Sequence, residues 1–339
     1  MKVLLMPMAG QSSRYNTRPK FLLNTPDTHE LMCIKALSGL PLDQFDMIKF
    51  VVLKEHVEKY QFKEELTRQL KILLSRKNSK ASFEIQEIEV SNSQMDTITQ
   101  GLPTELSFIM IKDCDNYFEL DKIDTTINSV MYATLTPGIE ATNKSYIQKT
   151  SSNIITDIVE KRMISNTFCV GGYCFTNIRE HLYGNYPSEA IYHDMLINAQ
   201  NYKAIEVKNY IDWGTEKEWN EYTSQYSNIF CDIDGVLINS NEKNYDYANV
   251  KPIEKNIQKI RDLYNNGKTK VILLTARSEE LRDITVKTLK DFNVPYHGLI
   301  MGLFHCKRIA INDFARTNPY PSMIAINIPR DSDILDTMI

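Results

Sequence analysis

Apolar, strand-like runs alternate with helical patterns along most of this 339-residue chain, and that alternation limits the fold more than any other feature. "KVLLMPM" (2–8), "MIKFVVL" (47–53), "SFEIQEIEV" (82–90) and "SFIMIKD" (107–113) read as strands. "EELTRQLKILLSR" (64–76) and "QMDTITQGL" (94–102) carry apolar residues at helical spacing. Strands joined through helices lie mostly parallel, in a sheet covered on both faces. Ligands of such sheets sit beyond the carboxyl ends of the strands. The polar, aromatic segment "DWGTEKEWNEYTSQYSN" (212–228) reads as a turn and a closing helix, and a second alternation begins at Ile229. There "NIFCDIDGVLI", "KVILLTAR", "GLIMG", "IAINDF" and "MIAINI" read as strands, and "IEKNIQKIRDLYNNG" as a helix. The length exceeds what one core supports. The reading is α/β with two Rossmann-like three-layer domains: 1–225 with a mixed sheet and 226–339 with a small parallel sheet.

Charge and cysteines narrow the function classes. A formal net charge of -4 argues against a broad nucleic-acid footprint, so local cation clusters are the informative ones. The apolar run before Pro7 and Gly10 is too short for a signal-peptide core, and no apolar stretch approaches membrane-spanning length. Cysteines 33, 114, 169, 174, 231 and 306 lie far apart with no CxxC pair. A reduced, cytoplasmic setting without a zinc site is the simplest reading.

The loop after the first strand, "MAGQSSRYNTRPKF" (8–21), combines small polar residues with Arg14, Arg18 and Lys20. Backbone N–H groups of Gly10, Gln11, Ser12 and Ser13 suit a phosphate cradle, and Arg14 and Lys20 suit charge neutralisation on a polyphosphate. "MPMAGQSSRYNTRPKFLL" resembles the signature of sugar-phosphate nucleotidyltransferases, an A-G-x-G-[ST]-R loop followed by P-K. Ala9, Gly10, Ser13, Arg14, Pro19, Lys20 and Leu22 match, and Ser12 stands where the family has its second glycine. The resemblance covers about two hundred residues and implies a fold of the glycosyltransferase-A-like kind. In "KDCDNYF" (112–118) carboxylates at a strand end suit magnesium, a hard cation. The resemblance gives that role to Asp115, with Asp113 as the near alternative. "DIVEKRMISNTFCVGGYCF" (157–175) is similar to the family's E-K stretch. It implies Glu160 on the acceptor's hydroxyls, Lys161 on its phosphate, and Gly171 or Gly172 for close packing. "YIDWGT" (210–215) resembles the turn carrying the second metal ligand, here Asp212. "SNSQMDTITQGL" (91–102) stands where the family reads base and ribose, with Gln94 and Thr97 as the contacts. The implied reaction is in-line attack of an acceptor phosphate on the α-phosphorus of a nucleoside triphosphate, CTP by preference, with release of pyrophosphate.

"FCDIDGVL" places Asp232 and Asp234 at a strand end, where positions i and i+2 point the same way. The stretch resembles the haloacid dehalogenase (HAD) superfamily of phosphatases. By that resemblance Asp232 is the nucleophile, Asp234 the acid and base, Thr275 the phosphate-binding hydroxyl and Lys307 the third-motif cation. Magnesium would bridge Asp232, the backbone carbonyl of Asp234, and Asp313, with Asn312 standing where the fourth motif commonly has a second acid. Residues 238–251 are too few for a large cap. Together the two resemblances imply a bifunctional enzyme making an activated sugar or polyol for a surface (capsular) polysaccharide. Nucleoside triphosphate and sugar or polyol phosphate are its substrates, and a homo-oligomer stays open. The alternatives are a cytidylyltransferase acting on an alcohol phosphate such as glycerol phosphate or phosphocholine, and a nucleotide-binding regulator whose HAD-like half is degenerate.

Overall fold

A computed structural model describes residues 1–12, 15, 18–137, 139, 141–142, 144–181, 202–239, 249–312 and 323–339. Ser13, Arg14 and Asp313 lie outside the described residues. The chain divides into two compact units, Met1–Asn220 and Glu221–Ile339.

The first unit is built on strands β1 (Lys2–Met8), β2 (Met47–Leu53), β3 (Ser82–Ile88), β4 (Phe108–Lys112), β5 (Asn116–Glu119), β6 (Ser129–Thr134), β7 (Ser145–Lys149), β8 (Ile155–Glu160), β9 (Thr167–Phe175), β10 (Lys203–Glu206) and β11 (Lys208–Asp212). Its main sheet runs β10-β6-β9-β4-β1-β2-β3, with the β7–β8 hairpin set against β9. β3, β2, β1 and β4 are parallel, whereas β9 is antiparallel to β4 and β6. β1 pairs with β2 on one side and β4 on the other, so the strand order reverses there and a crevice opens at its carboxyl end. The continuous apolar run Val3–Met6 is fully buried, as a central strand covered on both faces requires. β3, at the sheet edge, alternates apolar with exposed polar residues instead. One core cluster gathers Val3, Leu5, Val51, Ile98, Ile109, Ile111 and Phe175, behind the helix Gln94–Gly101.

A separate two-stranded ribbon positions the site. β5 leaves β4 after a three-residue turn and pairs antiparallel with β11, placing Asp212 opposite Asn116. The helix Glu216–Thr223 follows. Thr215 and Glu218 form a reciprocal capping box: the Thr215 N–H and hydroxyl donate to Glu218 at 2.9 and 2.8 Å, and the Glu218 N–H donates to Thr215 Oγ1 at 3.2 Å.

The second unit holds a parallel sheet in the order β12 (Ser227–Asp232), β13 (Thr269–Leu274), β14 (Gly298–Ile300). The helices Glu254–Asn265 and Arg282–Asp291 lie between those strands in sequence, and Ile257, Ile260 and Leu289 join Ile233, Val271 and Leu273 in its core. The strands expected at "IAINDF" and "MIAINI" are not found. Residues 309–312 and 323–328 have no regular structure, and Ile309, Ile311 and Ile324 are 72%, 91% and 76% exposed. Alternating apolar residues mark a face to be covered, but a ladder partner must also be supplied, and among the described residues these segments have none.

Candidate active site

Carboxylates from two distant segments meet in the first unit. Asp115 sits on the turn after β4 and Asp212 ends β11, and the Trp213 N–H donates to the Asp115 carbonyl at 2.9 Å, tying the two turns together. Gly214 marks the convergence: a Cβ built there would lie 3.2 Å from Asp212 Oδ1 and 3.6 Å from both Asp115 Oδ2 and Glu218 Oε2. The Gly214 N–H donates to Asp212 Oδ1 at 2.9 Å, which fixes that carboxylate. Each of the first two carboxylates is ion-paired with a lysine, Lys20 on Asp115 and Lys144 on Asp212. Lys144 Nζ also lies 3.7 Å from Glu218.

The strand-end loop closes over the same place. Tyr15 points its hydroxyl at the Trp213 and Thr215 carbonyls, at 2.6 and 2.8 Å, and so staples the loop to the turn after β11. Ser12 adopts φ 51°, in the left-handed region, at the position where the signature has glycine. The backbone bend is therefore made without glycine, and Ser12 Oγ accepts from the Lys20 N–H at 3.2 Å. The N–H groups of Gly10 and Gln11 donate to no other described backbone or side-chain group, as an anion cradle needs. Ala9, Gly10, Gln11, Ser12, Lys20, Ser91, Gln94, Thr97, Asp113, Asp115 and Gly214 line one cleft of about 500 Å³.

The electrostatics follow from burial. Burial and the Asp115 charge push the Asp113 carboxyl up to about 6. Burial also opposes ionisation of Asp115, but Lys20 outweighs it and holds that carboxyl below its usual range. Beneath the turn, Lys112 is fully buried and donates to the carbonyls of Asp113 and Asn116 and to Asn116 Oδ1, at 2.7, 3.0 and 2.7 Å; burial brings its ammonium down to about 8. Gly171 is in the left-handed region at φ 70°, and a Cβ there would lie 2.3 Å from Asp113 Oδ2, so glycine permits the closest approach of β9 to the site.

Other expected residues are placed differently. Gln94 Nε2 donates to Asp113 Oδ1 at 2.6 Å, leaving its carbonyl oxygen for a ligand. The Thr97 side chain is buried and bonded to Ser91 and the Ser93 carbonyl, at 2.5 and 3.1 Å. Gly172 faces Phe118 and Met131 in the interior. Glu160 and Lys161 pair with each other at 3.1 Å, their side chains 44% and 64% exposed. The capping-box pattern "TEKE" could have pointed to Glu218, whereas no local pattern points to Lys144.

Two carboxylates beside a phosphate cradle fit magnesium, which takes one or two carboxylates and completes its shell with phosphate and water oxygens. Among the described residues no group of three or more acidic, histidine or cysteine side chains is gathered as a metal cage.

In the second unit the strand-end carboxylates face arginines. Asp234 receives Arg277 in a fork, Nη2 at 2.6 Å and Nε at 3.1 Å, and the Thr275 hydroxyl at 2.9 Å. Thr275 and Arg277 are buried, so the hydroxyl expected to meet phosphate is committed to Asp234. Lys307, the expected cation, is exposed, and its neighbour Arg308 makes the ion pair to Asp232 at 3.1 Å. Asp313, the third residue expected with Asp232 and Asp234 on the metal, lies outside the described residues. Gly235, at φ 85°, turns the chain directly after Asp234.

No helix among the described residues is long and apolar enough to cross a membrane. No family model and no curated protein matches the sequence. Among solved structures, a nucleoside-diphosphate-sugar pyrophosphorylase from Vibrio cholerae RC9 is 17% identical, covering 65% of this chain and 99% of that one at a TM-score of 0.48. An inositol-1-phosphate CTP transferase from T. maritima is 13% identical over 66% of this chain and 95% of that one, with a TM-score of 0.49. A UDP-glucose pyrophosphorylase, solved in complex with UDP-glucose, reaches a TM-score of 0.50 at 17% identity, covering 66% of this chain and 97% of that one. About two thirds of this chain therefore shares the fold of that pyrophosphorylase.

Proposed function

We propose that the first unit, read as domain 1–225, transfers a nucleotidyl group from a nucleoside triphosphate to the phosphate of a sugar or polyol. The observation that carries this reading is the meeting of Asp115 and Asp212 at Gly214, in reach of Lys20 and beside the strand-end loop. Gly10 and Gln11 offer N–H groups to the triphosphate, and Lys20 neutralises charge on it. An acceptor phosphate oxygen forms a bond to the α-phosphorus while the bond to the bridging oxygen breaks, and that oxygen leaves with its electron pair as pyrophosphate. Magnesium held by Asp115 and Asp212 supplies positive charge to the phosphate oxygens. Gln94, which lines the cleft with its amide nitrogen held by Asp113, would use its carbonyl oxygen to contact the base. The nucleotide is read as CTP and the product as an activated sugar or polyol. A panel of four nucleoside triphosphates against sugar, polyol and amino-alcohol phosphates, with pyrophosphate detection, tests this. Turnover of CTP with a sugar or polyol phosphate is expected. Turnover confined to amino-alcohol or glycerol phosphates would move the assignment to an alcohol-phosphate cytidylyltransferase, and no pyrophosphate from any pair would overturn it.

For the second unit we propose phosphate-monoester hydrolysis at Asp232, which stands at a strand end with Arg308 as an anion-facing partner. Asp232 would form a bond to phosphorus while the ester P–O bond breaks, the alcohol leaving with that electron pair and taking a proton from Asp234 or water; water would then attack the phosphorus of the acyl phosphate, giving free phosphate and the Asp232 carboxylate again. The grip of Arg277 on Asp234 favours a second reading, in which Asp234 gives no proton and the unit binds phosphate without turnover. Phosphate release from p-nitrophenyl phosphate that Asp232→Asn abolishes supports hydrolysis; no release by the wild type favours the second reading.

A further inference from the structure

We propose that Lys144 is the cation that receives the acceptor's phosphate in the first unit, in the role that sequence resemblance gives to Lys161. This rests on the nucleotidyl-transfer reading and specifies the chemistry of its acceptor subsite.

Three observations converge on Lys144. First, a dianionic phosphate monoester entering beside Asp115, Asp212 and Glu218 meets strong like-charge repulsion unless a cation stands with it. Lys161 does not stand there: its side chain is mostly in solvent and paired with Glu160. Second, the two lysines are neighbours through the backbone, since the Lys161 N–H donates to the Lys144 carbonyl at 2.8 Å. The segments are thus in the arrangement the motif leads one to expect, but it is Lys144 whose side chain turns inward. It is 7% exposed, ion-paired with Asp212 and 3.7 Å from Glu218. Third, its ammonium lies 5.6 Å from the ring centre of Phe168 and 5.8 Å from that of Tyr210, two rings that pack edge to face. That slot restricts where the ammonium can go while leaving it mobile between oxygen partners, as a compact charge on a flexible stem allows.

The geometry also suggests how the phosphate is received. Asp212 Oδ1 is held by the Gly214 N–H, so Lys144 is attached through the other oxygen, Oδ2. Asp115 and Asp212 would hold a divalent cation, whose charge would take the place of the ammonium on Asp212. Lys144, still beside Glu218, would then be turned to the incoming phosphate. No covalent step is involved.

Steady-state pyrophosphate release separates the roles, using CTP with glucose 1-phosphate and CTP with glycerol 3-phosphate as probes. Lys144→Gln is expected to raise the acceptor KM at least 30-fold while the CTP KM changes less than about threefold, and Lys144→Arg to recover most of the loss. An acceptor KM that depends on Lys161 and not on Lys144 overturns the proposal, as does a Lys144→Gln effect shared equally by both KM values. Should Lys144→Gln fail to fold, the uncharged Lys144→Met and Lys161→Met decide: an acceptor KM raised by the first and not by the second supports the subsite, and the reverse overturns it. A wild type that releases no pyrophosphate from these probes or from any other pair of the nucleotide and acceptor panel overturns the transfer reading and takes the subsite with it, whereas wild-type turnover insensitive to Lys144 removes the subsite alone.

Discussion

The two units hold their strand-end carboxylates with different cations. In the first, Asp115 and Asp212 are each met by a lysine, one charge on a flexible stem. In the second, Asp234 is clasped by the planar fork of a buried arginine, and Asp232 is met by the more exposed Arg308. A guanidinium fixes a carboxylate through parallel N–H bonds, while an ammonium can exchange one oxygen for another at small geometric cost. The first pair is thus suited to give up its cations to a metal and a polyphosphate. The second is half locked: Asp234 is forked to a buried arginine, and Asp232 is paired with a half-exposed one.

That contrast predicts effects of different kinds. Asp234→Ala removes the carboxylate that the Arg277 guanidinium, 1% exposed, clasps. The pair is buried on the arginine side and 32% exposed on the aspartate side, so its loss costs about 1–3 kcal/mol, to be seen in denaturant unfolding followed on the second unit; an unchanged unfolding midpoint would show that the fork is not structural. Asp212→Ala acts on chemistry instead. It is expected to lower pyrophosphate release by about 10²–10³-fold, the scale of removing one electrostatic contributor at a reacting phosphate or acyl centre, without slowing release of phosphate from p-nitrophenyl phosphate. Equal loss of both activities would erase the distinction between the units. Gly171→Ala probes how tightly β9 is drawn against Asp113: the left-handed backbone alone costs about 1–2 kcal/mol, and the 2.3 Å approach to Asp113 Oδ2 adds to it. Thermal unfolding unchanged by this substitution would show that the strand can withdraw. The smallest effect belongs to Arg308→Ala, whose partly exposed pair contributes less than about 1 kcal/mol to stability. Its signature is weaker binding of phosphate monoesters, measured by competition.

What the sequence made legible depends on range. β1, β2, β3, β4 and the helices Lys63–Arg76 and Gln94–Gly101 follow from local apolar periodicity, which needs no knowledge of neighbours. Asp115, Asp212 and Lys20, which the family resemblance singled out from three separate segments, are brought close together by the structure. Lys144 was not singled out, because its inward direction is set by where the β7–β8 hairpin lies against β9, a long-range fact. The same limit explains "IAINDF" and "MIAINI": their periodicity is that of strands, but the pairing that makes a strand is absent among the described residues. Ser12 shows the opposite case, a residue that departs from the glycine pattern yet takes the left-handed conformation the pattern encodes.

Binding of Mn²⁺ in the presence of CTP, followed by electron paramagnetic resonance, addresses the central claim that Asp115 and Asp212 together form a metal–nucleotide site. Wild type and Asp232→Asn should bind alike, and Asp115→Asn and Asp212→Asn should each weaken binding at least tenfold. Binding that survives both of those substitutions, or that is lost only with Asp232→Asn, would contradict the account.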